Sequence, residues 1–228
     1  MHWGEYIGEL ADRQPKRVLI LCESHHTNEK SDIEPGKRAS YSTASVVETD
    51  YIKQNGEKTD YRNYQLFSKI EQSFGVITRS KEERLDFWSK VYFGNYVPVL
   101  CGVNDNAAAK TIHKGNNRTL FNDQLFEFIN SFHIEVVFCF SRLVYNNLPS
   151  LAKNRADIEK NELICTHKNT TDYINSCQYA PGVSRGYTTI MLNNPVTIYG
   201  MRHPSTQGGF WPEHYVDFLS EKLRECQS

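Results

Sequence analysis

Short continuous apolar runs alternate with longer stretches of helical periodicity along this chain. Trp3, Tyr6, Ile7 and Leu10 fall at helical spacing and predict an amphipathic helix over 3–12, ended by Pro15. RVLILC (17–22) is an apolar run followed at once by the polar ESHHTNEK, the pattern of a strand buried on both faces that ends in a functional loop. Residues 27–42, with Pro35-Gly36, predict a loop, and helical stretches follow at about 43–54, 61–74 and 80–90. VYFGNYVPVL (91–100) predicts a second strand, with Pro98 near its end or on an edge. Residues 101–118 are loop-like and carry Lys110, His113, Lys114 and Arg118, and 119–132 return to a helical pattern. HIEVVFCFS (133–141) predicts a third buried strand, and SRLVYNNL a helix with Ser141 as its cap. Residues 150–180 are polar and take no clear assignment. GYTTIML and PVTIYGM predict two strands joined at Asn193-Asn194-Pro195, the second running into RHPSTQGG. Residues 210–226 close the chain as an amphipathic helix.

Strands that alternate with helices predict an α/β sandwich with a mainly parallel sheet. With no repeat, low-complexity tract or linker, residues 1–228 are expected to form a single domain. Ligands of such sheets bind beyond the carboxyl ends of the strands. The polar tails of the four strongest strands, ESHH, GNY, SR and RHPS, are therefore expected to converge on one cleft.

Composition narrows the partners. Lys plus Arg number 26 and Asp plus Glu 27, a net charge of −1. That excludes a strongly basic, indiscriminate polyanion binder but leaves room for a local basic groove. The hydrophobic fraction of 39% is low, and 12 Phe, 13 Tyr and 3 Trp partly compensate with large buried area. Cys22 and Cys139 lie in apolar runs and read as small core hydrophobes. Cys165-x-His167 with Cys177 matches no zinc ribbon or finger, so no metal is expected. No apolar run approaches the roughly 20 residues of a membrane span. With no signal-peptide pattern in MHWGEYIGELADRQ, the sequence predicts a soluble, cytoplasmic protein without membrane attachment.

The tails carry chemistry. Glu23 directly follows a buried strand, where partial desolvation suits a carboxylate to act as a base or to orient water. The plainer reading is a capping Glu-Ser turn. His203 is pinned by Pro204 and can donate a hydrogen bond to charge developing on a leaving group, although a His-Pro-Ser turn read alone is more often structural. Asn95 sits in an apolar strand between Phe93 and Tyr96, and both ends of its amide need partners. A nucleobase edge, with adjacent donor and acceptor, is one such partner; a backbone turn is the other.

VLILCESHH, YFGNYVP, VVFCFSRLVYNNL and TIYGMRHPSTQGGF, in that order, resemble the uracil-DNA glycosylase superfamily. The resemblance spans residues 17 to 211 and rests on short motifs. It implies a three-layer α/β/α sandwich around a central, mainly parallel four-stranded sheet. It also implies a DNA N-glycosylase with DNA as partner, acting as a monomer. In the first motif, opened in relatives by sequences such as GQDPY or GEAPG, Glu23 takes the Gln or Glu position and Ser24 the Asp or Ala position. Asn95 matches the base-reading Asn, and His203-Pro204-Ser205 the second motif. The departures are Cys22 for the leading Gly, Ser24 for Asp and His25 for Pro. Glu23 would then order the attacking water, or Ser24 would, while His203 stabilises the leaving base and His25 lines the substrate site. The duplex wedge falls near Gln207, flanked by glycines. Tyr41 or Phe93 could supply a platform for a flipped base, though Phe93 is more often core. Ser205 and Ser141 sit in strand–helix turns suited to phosphate, and Arg202 and Arg142 could line a groove. No cysteine set matches the iron–sulfur branches of the family, so no cofactor is expected.

The altered first motif and the polar insertions argue against a plain uracil pocket. The superfamily includes a branch associated with bacterial defence against phages, so the resemblance implies a modified pyrimidine, such as glucosylated 5-hydroxymethylcytosine in phage DNA, with antiviral defence as the setting. The alternatives are a repair glycosylase for uracil or damaged bases, a non-catalytic lesion binder, and a metal-dependent hydrolase using His25, His26, His203 and Glu23. A Ser24–His203 esterase lacks both GxSxG and an orienting acid.

Overall fold

The structure, a computed structural model, describes residues 5–26, 65–76, 80–101, 106–149, 160–167, 170–182, 186–204 and 209–228. Its strands are β1 (Tyr6–Ile7), β2 (Arg17–His26), β3 (Tyr92–Cys101), β4 (Ile134–Cys139), β5 (Lys160–His167), β6 (Thr170–Tyr179) and β7 (Val196–Gly200). They form one sheet in the order β1-β3-β2-β4-β7-β6-β5. The inner four, β3-β2-β4-β7, are parallel to one another. β1, β6 and β5 extend that block antiparallel at its two edges.

The apolar run of β2 explains its central place. Val18, Leu19, Ile20, Leu21 and Cys22 are each at most 1% exposed, as both faces of the strand are covered. Val18, Ile20 and Cys22 pack with Phe93, Phe138 and the helices α1 (Gln65–Ser73), α2 (Lys81–Ser89) and α6 (Val216–Gln227). Leu19 and Leu21 point the other way, toward α3 (Ala107–Ile112), α4 (Asn117–Ser131) and α5 (Arg142–Asn147). Helices therefore cover both faces of a mixed, mostly parallel sheet. None of the described helices is long and apolar enough to cross a membrane.

Several expectations are corrected. In place of a helix over 3–12, residues 6–7 form β1 and Ala11–Arg13 a single 3-10 turn. Gly8 is the cause: it lies against the backbone of Trp88 and Ser89, where a Cβ would collide. The flanking amides Gly8 N and Leu10 N donate to Val91 and Ser89 carbonyls, drawing the segment along the sheet edge. Residues 101–118 contain α3, and the unassigned region 150–180 supplies the β5–β6 hairpin. The sheet thus has seven strands among the described residues, where four were expected. GYTTIML forms no strand; Thr188, Thr189 and Ile190 are gathered onto the Asp123 carboxylate instead. The predicted helix over 43–54 lies outside the described residues. Pro98 falls where the β2–β3 register slips, Ser24 pairing with Val97 and His25 with Leu100. A residue without an N–H fits that break in the ladder.

Candidate functional site

The ladders of the parallel block bring the polar strand tails side by side. Cys22 pairs with Asn95, Leu21 with Cys139, and Cys139 with Gly200. Two further bonds carry the register past the last paired positions: Phe140 N donates to Leu21 O at 2.8 Å and Met201 N to Cys139 O at 2.9 Å. Ser141 and Arg202-His203 thus follow the ends of β4 and β7, whereas Glu23 and Asn95, expected in strand tails, lie inside β2 and β3 at neighbouring register positions.

Ser141 Oγ accepts from Val144 N at 3.2 Å, capping α5, and donates to Glu23 Oε2 at 2.7 Å. One hydroxyl therefore fixes both a helix start and the candidate base. Glu23 is half-buried among thiols. Burial pushes the Cys139 thiol up to about 12, and the Glu23 charge adds to the rise. Cys22 is raised in the same direction by burial, then by Cys139 and Glu23. Burial also raises Cys101, against hydrogen bonds with Thr111 and Ser24 that lower it. The Ser24 hydroxyl is accordingly engaged with Cys101.

Asn95 is only 6% exposed, and its Oδ1 has no hydrogen-bond partner among the described residues. A buried amide oxygen in that state costs on the order of 1–3 kcal/mol. Such an atom is satisfied by a ligand donor or by water. His203 is half-buried just beyond β7. The Pro204 carbonyl accepts from Lys69 Nζ at 2.7 Å, tying α1 to this turn.

Phe93 is corrected: its ring is fully buried against Phe67 and Trp88, at centroid distances of 5.4 and 5.6 Å, and offers no face to a base. Tyr41, Ser205 and Gln207 lie outside the described residues, as does the side chain of His25.

Arg202 and Arg142 differ in kind. Arg202 Nε lies 2.6 Å from Asp172 Oδ1, and the Asp172 side chain is 2% exposed. The other carboxylate oxygen is 3.4 Å from His214 Nδ1. Arg202 is thus held in a buried ion pair rather than presented as a loose cation. The Arg142 guanidinium carbon lies over the Tyr173 ring, 3.9 Å from its centroid. Burial raises the Tyr215 hydroxyl, and the Asp172 charge reinforces that, so Tyr215 belongs to the same cluster.

Asp172, Tyr173, His214 and Tyr215 were not foreseen. Thr170, Thr171, Tyr173 and Ile174 are strand formers and could have marked β6, but Asp172 and Asn175 dilute the alternation. Among the described residues no group of three or more His, Cys, Asp or Glu side chains is placed to hold a metal ion. A cleft lined by Phe74, Val76, Phe87 and Leu223 opens elsewhere and includes none of the strand-tail residues. No protein-family model matches the chain, and no curated protein matches it.

Proposed function

We propose that this protein is a DNA N-glycosylase of the uracil-DNA-glycosylase type. It takes a nucleotide out of the duplex stack and hydrolyses its N-glycosidic bond, leaving an abasic site. The observation that supports this most is the set of strand tails. Asn95 and Glu23 lie within the adjacent parallel strands β3 and β2, Ser141 and His203 follow β4 and β7, these segments come along the chain in the order of that superfamily's motifs, and Asn95 holds a buried oxygen with no partner among the described residues. In this reading the four-stranded sheet of that superfamily would be the parallel β3-β2-β4-β7 block, here extended by three antiparallel strands.

Flipping a nucleotide costs a few kcal/mol, and the pocket recovers it through contacts to the base. In this reading Asn95 Oδ1 accepts from an exocyclic amine, as found on cytosine N4, which suits a cytosine-derived base better than uracil. Glu23, steadied by Ser141, orients water toward C1′ of the sugar. Glu23 is favoured over Ser24 for this step because the Ser24 hydroxyl is engaged with Cys101. His203 donates to the departing base, whose negative charge grows as the bond breaks. The preferred substrate is a modified cytosine such as glucosylated 5-hydroxymethylcytosine.

The test is incubation with phage DNA carrying modified cytosine and, separately, with uracil-containing DNA, scored for abasic sites. Modified-cytosine cleavage is expected. Cleavage of uracil alone overturns the substrate, and cleavage of neither overturns the activity. Glu23→Gln is expected to slow cleavage by about 10²-fold or more, the scale of a lost general base. Unchanged rates in Glu23→Gln, Asn95→Ala and His203→Ala would remove the site assignment.

A further inference from the structure

We propose that Arg142, backed by Tyr173, is the anchor for one phosphate group at the strand-end face. Arg142 leaves the end of β4, whereas Tyr173 lies on β6, and β7 runs between them. To stack on Tyr173, the side chain must span the end of the strand that delivers His203. Neighbouring strands are about 4.8 Å apart, so this crossing uses most of an extended arginine.

The guanidinium carbon is 3.9 Å from the Tyr173 ring centroid, and a guanidinium that contacts a ring through its face keeps its edges for hydrogen bonding. Nε and Nη2 form one such edge, the parallel pair of donors that matches two oxygens of a phosphate or carboxylate. Both nitrogens are buried, and neither has a hydrogen-bond partner among the described residues. The carboxylate of this cluster, Asp172, pairs with Arg202 and faces His214. Two arginines thus share one described carboxylate, and Arg142 is the cation left over. A partly buried charge without a counter-ion is costly, and an incoming oxyanion removes that cost.

The chemistry recognised is a tetrahedral phosphate. That the phosphate belongs to a DNA backbone rests on the proposed function; the anion site itself does not. Arg142 then differs from the exposed lysines in being oriented before the ligand arrives, as planar bidentate recognition requires.

Thermal unfolding of the full chain, with and without inorganic phosphate at constant ionic strength, tests the site. Phosphate is expected to raise the Tm of the wild type. Arg142→Met keeps the aliphatic stem and is expected to raise the Tm in phosphate-free buffer while abolishing the phosphate response. A purely structural arginine would do the reverse, losing stability on replacement and leaving any phosphate response intact. Arg142→Lys keeps the charge without the fork, and its phosphate response should fall severalfold, which also serves if the Met variant does not fold. No phosphate shift in the wild type, or an equal shift in the variants, would overturn the site.

A second arm separates the sources of phosphate. The dependence of duplex affinity on salt should lose about 0.9 from its log–log slope in Arg142→Met, the share of one phosphate contact. An unchanged slope would overturn the backbone assignment and leave free phosphate as the ligand. Absence of abasic-site formation with an intact phosphate response would count against the glycosylase reading alone.

Discussion

An amide oxygen buried without a partner lowers stability, and Asn95, on β3 beside Cys22, has one with no partner among the described residues. Asn95→Leu, which keeps the branched shape, is therefore expected to leave the Tm unchanged or raise it, with a gain of up to about 1–3 kcal/mol. The same change should abolish cleavage. A large loss of stability in Asn95→Leu, read by urea unfolding, would show that the amide is a structural bond and not a ligand contact. Glu23, Asn95, Ser141 and His203 were legible because each directly follows or interrupts an apolar run, where a polar side chain needs a reason. Phe93 was not, because an aromatic on a strand covered on both faces has the same sequence signature whether it lines the core or a pocket. Asp172 and Tyr173 were hidden by the polar sequence of their strand, and their partners are supplied from residues far along the chain.

Elements were readable where periodicity and tertiary pairing agree. The apolar runs of β2, β4 and β7 and the stripe of α4 need no outside partner to be recognised. β1 failed because its helical spacing was overridden by pairing with β3 and by the close approach of Gly8 to Trp88. The segment 186–192 failed similarly, since β-branched residues that suit a strand are organised by one carboxylate. Asp123 accepts from Thr188 Oγ at 2.6 Å and from Thr189 N and Oγ at 2.5 and 2.8 Å. Burial raises its carboxyl, but these hydrogen bonds outweigh that and hold it below the usual range. A depressed acid stabilises the fold fully above its unfolded value, about 3.9, and that contribution fades as pH falls through the folded value. Asp123→Ala should cost about 1–3 kcal/mol at neutral pH. It should also flatten the loss of stability below pH ~4, measured by urea midpoints across the acid range. An acid profile identical to wild type would contradict the clamp.

For the whole molecule, the two cores bury thiols and phenols on both sides of the sheet. Burial is the leading cause that raises Cys22, Cys139, Tyr92, Tyr96 and Tyr215 above their ordinary values. Groups raised in the folded state favour it fully below their unfolded values, about 8.5 for Cys and 10 for Tyr. Their contribution is lost as pH rises from there toward the folded values. The Tm should be flat near neutrality and fall progressively above pH ~9, with tyrosinate absorbance appearing together with unfolding. Tyrosinate signal from all the tyrosines well before unfolding would contradict the packing. The class of the fold was legible because alternating strands and helices admit few topologies. The antiparallel hairpin was not, since its edge position relaxes the demand for apolar residues. The net charge of −1 now has a local meaning. Affinity for nucleic acid would rest on oriented groups such as Arg142 at the strand ends, not on a general positive field.

The most direct measurement is mass-spectrometric detection of free base released from phage DNA containing glucosylated 5-hydroxymethylcytosine. The wild-type protein should release the modified base and leave one abasic site per base freed, while Glu23→Gln releases it about 10²-fold more slowly. Binding of that DNA without release of any base, from it or from uracil-containing DNA, would contradict the account.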